Sequence, residues 1–137
     1  MKALSIRQPW LYAILHEGKD VENRSRRIHH RGWIALHASG RPNLEARFPR
    51  GHRVPDFDAL SYSAICGVAR LVDVVERSRS KWFWRPVDGA VNFGWVLEDA
   101  TPLKQPIPAK GALGLWNLTG SQIRSIQKQL PRLKRFD

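Results

Sequence analysis

Lys19, Glu22 and Arg24 place an ammonium, a carboxylate and a guanidinium within six residues of the chain. Such groups are costly to bury, and they are also the groups that bind and transform polar substrates. Glu22 and Arg24 are two apart, so an extended backbone puts them on one face; His37 and Ser39 share a face of the strand that follows. If those two strands pair, the four side chains and Lys19 converge at one mouth of a sheet. There a lysine beside a carboxylate serves as a proton acceptor when burial favours its neutral form. Lys19, Glu22 and His37 are therefore the candidate catalytic residues, with His37 as a second proton donor. The same groups suit hydrogen bonding to a base edge and its phosphate. A third account of the spacing is architectural, an ion pair of Lys19 with Glu22 or of Glu22 with Arg24.

The elements that must hold these residues follow from pattern. Lys2 to Ile6 reads as an opening strand. Pro9 suits a first helical turn. Trp10, Leu11, Ala13, Ile14 and Leu15 follow at helical spacing, and Gly18 is a C-terminal stop, which predicts a helix over residues 9–17. Lys19 then reaches a cleft from the turn behind that helix. Residues 20–25 are extended around Val21, and Arg31-Gly32 is a turn. Trp33 to Ser39 is a strand with Ile34, Leu36 and Ala38 on one face and Trp33, Ala35, His37 and Ser39 on the other. Gly40 to Ser63, with three prolines and four arginines, is a basic surface loop with a helical turn at Asn43 to Phe48.

Ala64 to Glu76 reads as a strand apolar on both faces, with Ile65, Gly67, Ala69, Leu71 and Val75 together. Residues 77–88 break the pattern. Phe93 to Leu97 is a strand, Pro102, Pro106 and Pro108 form a stiff connection, and Ala112 to Leu118 is the last strand. Ser121 caps a helix running to Leu130, with Ile123, Ile126 and Leu130 on one face. Pro131 to Asp137 is a basic, frayed tail. Several strands with few helices, no βα rhythm and no repeat predict a mostly β, α+β fold, a small β-barrel with flanking helices.

The chain has 137 residues, which suits one domain with one core. Its 23 Lys and Arg against 12 acidic residues give a net charge of +11. A field of that size favours polyanionic partners, of which nucleic acid is the commonest. Arginine supplies most of the excess, and its fork binds phosphate bidentately. Cys66 is the sole cysteine, which excludes an internal disulfide and a CxxC metal pattern. It lies in an apolar run and reads as core. No apolar run approaches the length of a membrane span. The N-terminus carries no signal-type apolar segment, so the expected compartment is the cytoplasm.

Lys81-Trp82-Phe83-Trp84-Arg85 is the clearest aromatic-basic interleaving. In a strand Trp82 and Trp84 share a face flanked by Lys81 and Arg85, a platform for unpaired bases; otherwise both cover the edge of the core. Lys110-Gly111, after Pro106 and Pro108, is a stiffened basic turn able to approach a phosphate. Arg124, Lys128, Arg132, Lys134 and Arg135 make a basic C-terminal stripe that adds non-specific phosphate affinity. His29, His30 and His52 lack zinc-site spacing, so neither a metal nor another cofactor is expected.

The ordered residues Leu4-Ser5, Gln8-Pro9-Trp10, Gly18-Lys19, Glu22-Asn23-Arg24-Ser25, Arg31-Gly32 and His37-Ala38-Ser39 form one block. Phe93-Gly94-Trp95, Pro106-Ile107-Pro108, Lys110-Gly111 and Leu113-Gly114-Leu115-Trp116 form a second. Together they resemble the ASCH family over residues 1–118. The resemblance implies a PUA-like fold for residues 1–120, with 121–137 as a helix and basic tail on the same domain. It implies a cleft beside the G-K-x-x-E-x-R segment and binding of RNA or other nucleic acid. Some family members are enzymes, one a ribonuclease and one an amidohydrolase that removes an acyl group from a modified cytidine. The amidohydrolase type uses a lysine, a threonine three residues later and a distant glutamate. Lys19 fits the lysine, whereas Glu22 stands in place of the threonine.

Relatives also often carry Trp, Thr and Tyr where Arg26, Ile28 and His30 stand, so this chain exchanges aromatic and hydroxyl groups for cations. The expectation is a module for RNA, single-stranded nucleic acid or a nucleoside, with no membrane partner. Arg24, Arg26, Arg27 and Arg31 would hold phosphates, assisted by Lys81, Arg85 and Lys110. Trp10, Trp82 or Trp84 would stack, Glu22, His37 and Ser39 would read a base edge, and Gln8 would join them in contacting the nucleic acid. The alternative is an enzyme in the same cleft, a metal-independent ribonuclease or a nucleoside amidohydrolase.

Overall fold

Alternating apolar residues make the strands here, and a few glycines and bulges decide where those strands turn. The computed structural model describes residues 1–133. The elements are β1 (Lys2–Ile6), α1 (Trp10–His16), β2 (Val21–Arg24), β3 (Gly32–Ala38), a single 3-10 turn (Phe57–Ala59), β4 (Ala64–Val75), β5 (Phe93–Pro108), β6 (Leu115–Asn117) and α2 (Gly120–Gln129). The six strands form one sheet in the order β2-β5-β4-β3-β1-β6, curled into a half-barrel. Only β1 and β3 run parallel, and α1 and β2 lie in the crossover between them. The expected mostly β, α+β architecture is present.

Both faces of the sheet are covered, which is why its strands are apolar on both sides. Leu4, Ile6, Ile34, Leu36, Leu71 and Trp95 fill the inner face with Leu11 and Ile14 of α1. Ala3, Ala35, Ile65 and Val68 fill the other face with Leu118 and Ile126. Helix α2 packs on that second face through Ile126, flanked by Ile123 and Leu130. Gly67 lets α1 approach β4, since a Cβ there would lie 2.6 Å from Leu15 Cδ2 and 2.6 Å from the Thr101 carbonyl.

Several sequence expectations need correction. Ile65 lies on the face opposite Ala69 and Leu71. Cys66 is an extra residue against β3, where His37 pairs with Ile65 and Leu36 with Gly67, and this register shift breaks the period of two. Pro102, Pro106 and Pro108 do not interrupt β5, which continues through them. Strand β2 pairs only with residues 93–96 of β5, so the remainder has β4 on one side alone. Proline is tolerated on such an edge because its missing N–H can face outward. The N-cap of α2 is Thr119, not Ser121, in a reciprocal capping box with Gln122. Strand β6 is shorter than expected. Residues 43–48 hold only an isolated turn, while the 3-10 turn at Phe57–Ala59 was not foreseen. Lys134, Arg135 and the end of the tail lie outside the described residues.

Candidate functional site

The end of α1 delivers Lys19. Gly18 adopts φ +75°, a conformation open to glycine, and the Lys19 N–H returns to the Ala13 carbonyl at 3.0 Å. The side chain is thereby turned inward and only 3% of the residue is exposed. Its ammonium donates to the Val21 carbonyl and to Glu22 Oε1, the latter at 3.0 Å. Glu22 Oε2 accepts from Arg24 Nε at 3.0 Å and pairs with Nη2 at 2.9 Å. Strand β2 thus presents Glu22 and Arg24 on one face, as their spacing requires. Burial alone would push the Glu22 carboxyl up. The Lys19 and Arg24 charges and their hydrogen bonds outweigh it and hold the group below its ordinary value. Glu22 is therefore an acceptor at neutral pH.

This triad forms the back of a cavity of about 690 Å³. Trp10, Phe48, Trp82 and Trp84 supply aromatic walls, and Arg47 and Lys81 stand among the lining residues. Phe48 bridges Trp10 and Trp82, with ring centroids 5.6 and 5.3 Å away. The long loop carrying Arg47 and Phe48 is fastened by Asn43 N–H to the Gln8 carbonyl at 2.7 Å and by a His52–Glu17 contact at 3.2 Å. On the other side, Asn23 holds residues 82–84. Its Nδ2 donates to the Trp82 carbonyl, and its Oδ1 accepts from Trp84 N–H and from Asn92 Nδ2. The two tryptophans are not equivalent. Trp82 is 6% exposed and part of the core, whereas Trp84 is 53% exposed.

A second cavity of about 510 Å³ lies on the far side of Arg24, which lines both. Ser5, His37, Ser39 and Lys110 belong to this one. His37 is 2% exposed. Its Nε2–H donates to the Ala109 carbonyl at 2.7 Å, leaving Nδ1 to accept from the Ser5 hydroxyl at 2.9 Å. Ser5 Oγ in turn accepts from Trp116 Nε1–H at 3.1 Å.

Solved ASCH structures share this architecture. The chain is similar to an ASCH protein from Zymomonas mobilis, with 16% identity, a TM-score of 0.60 and 93% of each chain covered. A point mutant of that protein matches at 17% identity and the same TM-score, over 93% of this chain and 96% of the other. It is an ASCH fold. No family model and no curated protein matches the sequence.

Within this ASCH fold the site residues divide. Lys19, Glu22, Arg24, Trp10, Lys81, Trp82 and Trp84 gather at the first cavity. His37 and Ser39 do not join them, because β2 pairs with β5 while β3 lies between β4 and β1. Both ring nitrogens of His37 are engaged internally, so it is a positioning group for the turn after β5 and not a proton donor beside Lys19. Gln8 is buried; it donates to the Ser61 carbonyl and accepts from Tyr12 N–H. Arg31 turns back onto the Ile28 and His30 carbonyls, and Arg85 donates to the Ser78 carbonyl. Arg27 lies over Phe93 and pairs with Glu76 at 3.5 Å. Arg26 is exposed, and its carbonyl accepts from Trp95 Nε1–H.

The expected Trp82–Trp84 strand is absent, since residues 77–92 are irregular. Sequence reasoning missed Arg47, Phe48, Asn23 and Asn92. An aromatic beside an arginine in a basic loop was a usable signal for the first two. Asn23 acts through partners 59 to 69 residues away, one of them Asn92, for which no local signal exists.

Proposed function

We propose that this chain binds RNA or other single-stranded nucleic acid and holds one unpaired base in the first cavity. The observation that carries this reading is the composition of that cavity: the exposed face of Trp84 stands with two outward-facing cations, Arg47 and Lys81, and the Glu22 carboxylate. An aromatic face accepts any base by stacking, and cations beside it take the flanking phosphates. Glu22 Oε1, which takes only the Lys19 ammonium, keeps a second lone pair, so the carboxylate can accept from an exocyclic amine of cytosine, adenine or guanine. A cytoplasmic setting belongs to the same proposal. Among the described residues no helix is long and apolar enough to cross a membrane.

The test is a titration of intrinsic tryptophan fluorescence with a single-stranded RNA decamer. Trp84→Ala should weaken binding by about 1–3 kcal/mol, the size of a lost stacking contact. A decamer bound equally well by wild type and Trp84→Ala overturns the reading. The enzymatic alternative draws support from Lys19 Nζ and Glu22 Oε1 lining one cavity 3.0 Å apart. It requires that labelled RNA or acylated cytidine, incubated without metal, be converted by wild type and left intact by Lys19→Ala. Binding without conversion favours the module.

A further inference from the structure

The second cavity differs from the first in the charge of its lining. Among the described residues no carboxylate lines it. Arg24 uses Nε and Nη2 on Glu22 and the Ser5 carbonyl, which leaves Nη1 for the cavity. Lys110 is exposed beside it, and the hydroxyls of Ser39 and Ser63 are at its wall. Arg26 stands close by, since a Cβ on Gly114 would meet its Nη2 at 3.1 Å. Gly111 packs its backbone directly on Ser5 and His37: a Cβ there would lie 2.5 Å from Ser5 Oγ and 2.6 Å from His37 Cε1. Beneath it His37 is fixed by its two internal hydrogen bonds, so the turn from Ala109 onward is anchored rather than free.

Cationic and hydroxyl donors around one cavity, with no carboxylate among the described residues of its lining to repel a ligand, suit a tetrahedral oxyanion. We propose that the second cavity is a phosphate subsite. It seats the phosphodiester adjoining the base held in the first cavity, and Arg24, common to both, sets the spacing. The inference rests on the base-pocket reading for its assignment to a nucleic-acid strand. The anion chemistry of the cavity stands on its own lining.

Three probes separate the two ideas: cytidine, inorganic phosphate and the RNA decamer. Lys110→Ala in the full chain should weaken the decamer about tenfold and lower the slope of log affinity against log salt by about one. Cytidine, which has no phosphate, should bind the variant as it binds wild type. Inorganic phosphate should shift the amide resonances of Gly111 and Gly114 in wild type, and the shift should shrink in the double variant Ser39→Ala, Ser63→Ala. An unchanged salt slope together with no phosphate-dependent shift overturns the subsite, even if Trp84→Ala still weakens the decamer and the base pocket stands. A phosphate shift without any cytidine or decamer binding overturns the base pocket and leaves a site for a free anion.

Discussion

Glu22 answers two cations with one carboxylate, and most of the energetics of the site passes through it. Its folded-state value lies below the ordinary 4.5. The stability it contributes is therefore complete above that ordinary value and is lost as the pH falls through the lowered one. Denaturant midpoints measured from neutral pH into acid should decline for wild type, with a shallower acid limb for Glu22→Gln. Lys19→Met removes one partner of a nearly buried pair and should cost about 3 kcal/mol in the same assay. The two neighbouring tryptophans should separate cleanly. Trp82→Ala, in the core, should cost about 3–5 kcal/mol of stability, whereas Trp84→Ala should change stability by about 0.5 kcal/mol or less. The Glu22–Arg24 pairing was legible because residues two apart on a strand share a face. Burial of Trp82 and exposure of Trp84 were not, because no regular element governs that segment and Asn23 shapes it from a distant strand.

At the level of elements, alternation identified β1, α1, β2 and β3 closely, since each is short and locally self-consistent. It failed along β4 and β5. An extra residue at Cys66, where Leu36 and His37 pair with Gly67 and Ile65, reverses the parity of β4, so apolar residues that look like one stripe serve two cores. Prolines that normally end a strand persist in β5, because much of its outer edge has no partner. Close approach is the other feature that pattern hides. Gly67→Ala should drive a methyl against both Leu15 and the Thr101 carbonyl and cost about 1–3 kcal/mol by thermal unfolding. Thr119→Ala should cost about 1 kcal/mol through loss of the α2 cap. A Gly67→Ala protein as stable as wild type would show that α1 can shift away from β4.

For the molecule as a whole, a charge of +11 gives attraction to any polyanion, and the fold determines which cations act locally. Arg24 and Lys110 border the cavities. Arg124, Lys128 and Arg132 on and after α2 line neither cavity. Arg26→Ala should lower the salt slope of decamer binding by about one, as loss of one phosphate contact does. Arg27→Ala should lower it less, because that guanidinium already lies over Phe93 and faces Glu76. Equal slopes for wild type and Arg26→Ala would remove Arg26 from the interface. The expectation of a polyanionic partner rests on composition alone. The division of the expected cleft into two depended on strand order, which no local pattern encodes.

The Arg24 hydrogen bond to the Ser5 carbonyl has a mechanical meaning as well. Strands β2 and β1 are not neighbours in the ladder, so across this gap the curled sheet is joined by a side chain and not by paired backbone. Neighbours in the ladder are stitched by backbone; here the sheet is buttoned. The button is also the wall that a ligand in either cavity would touch, so occupancy and the tightness of the curl draw on one guanidinium.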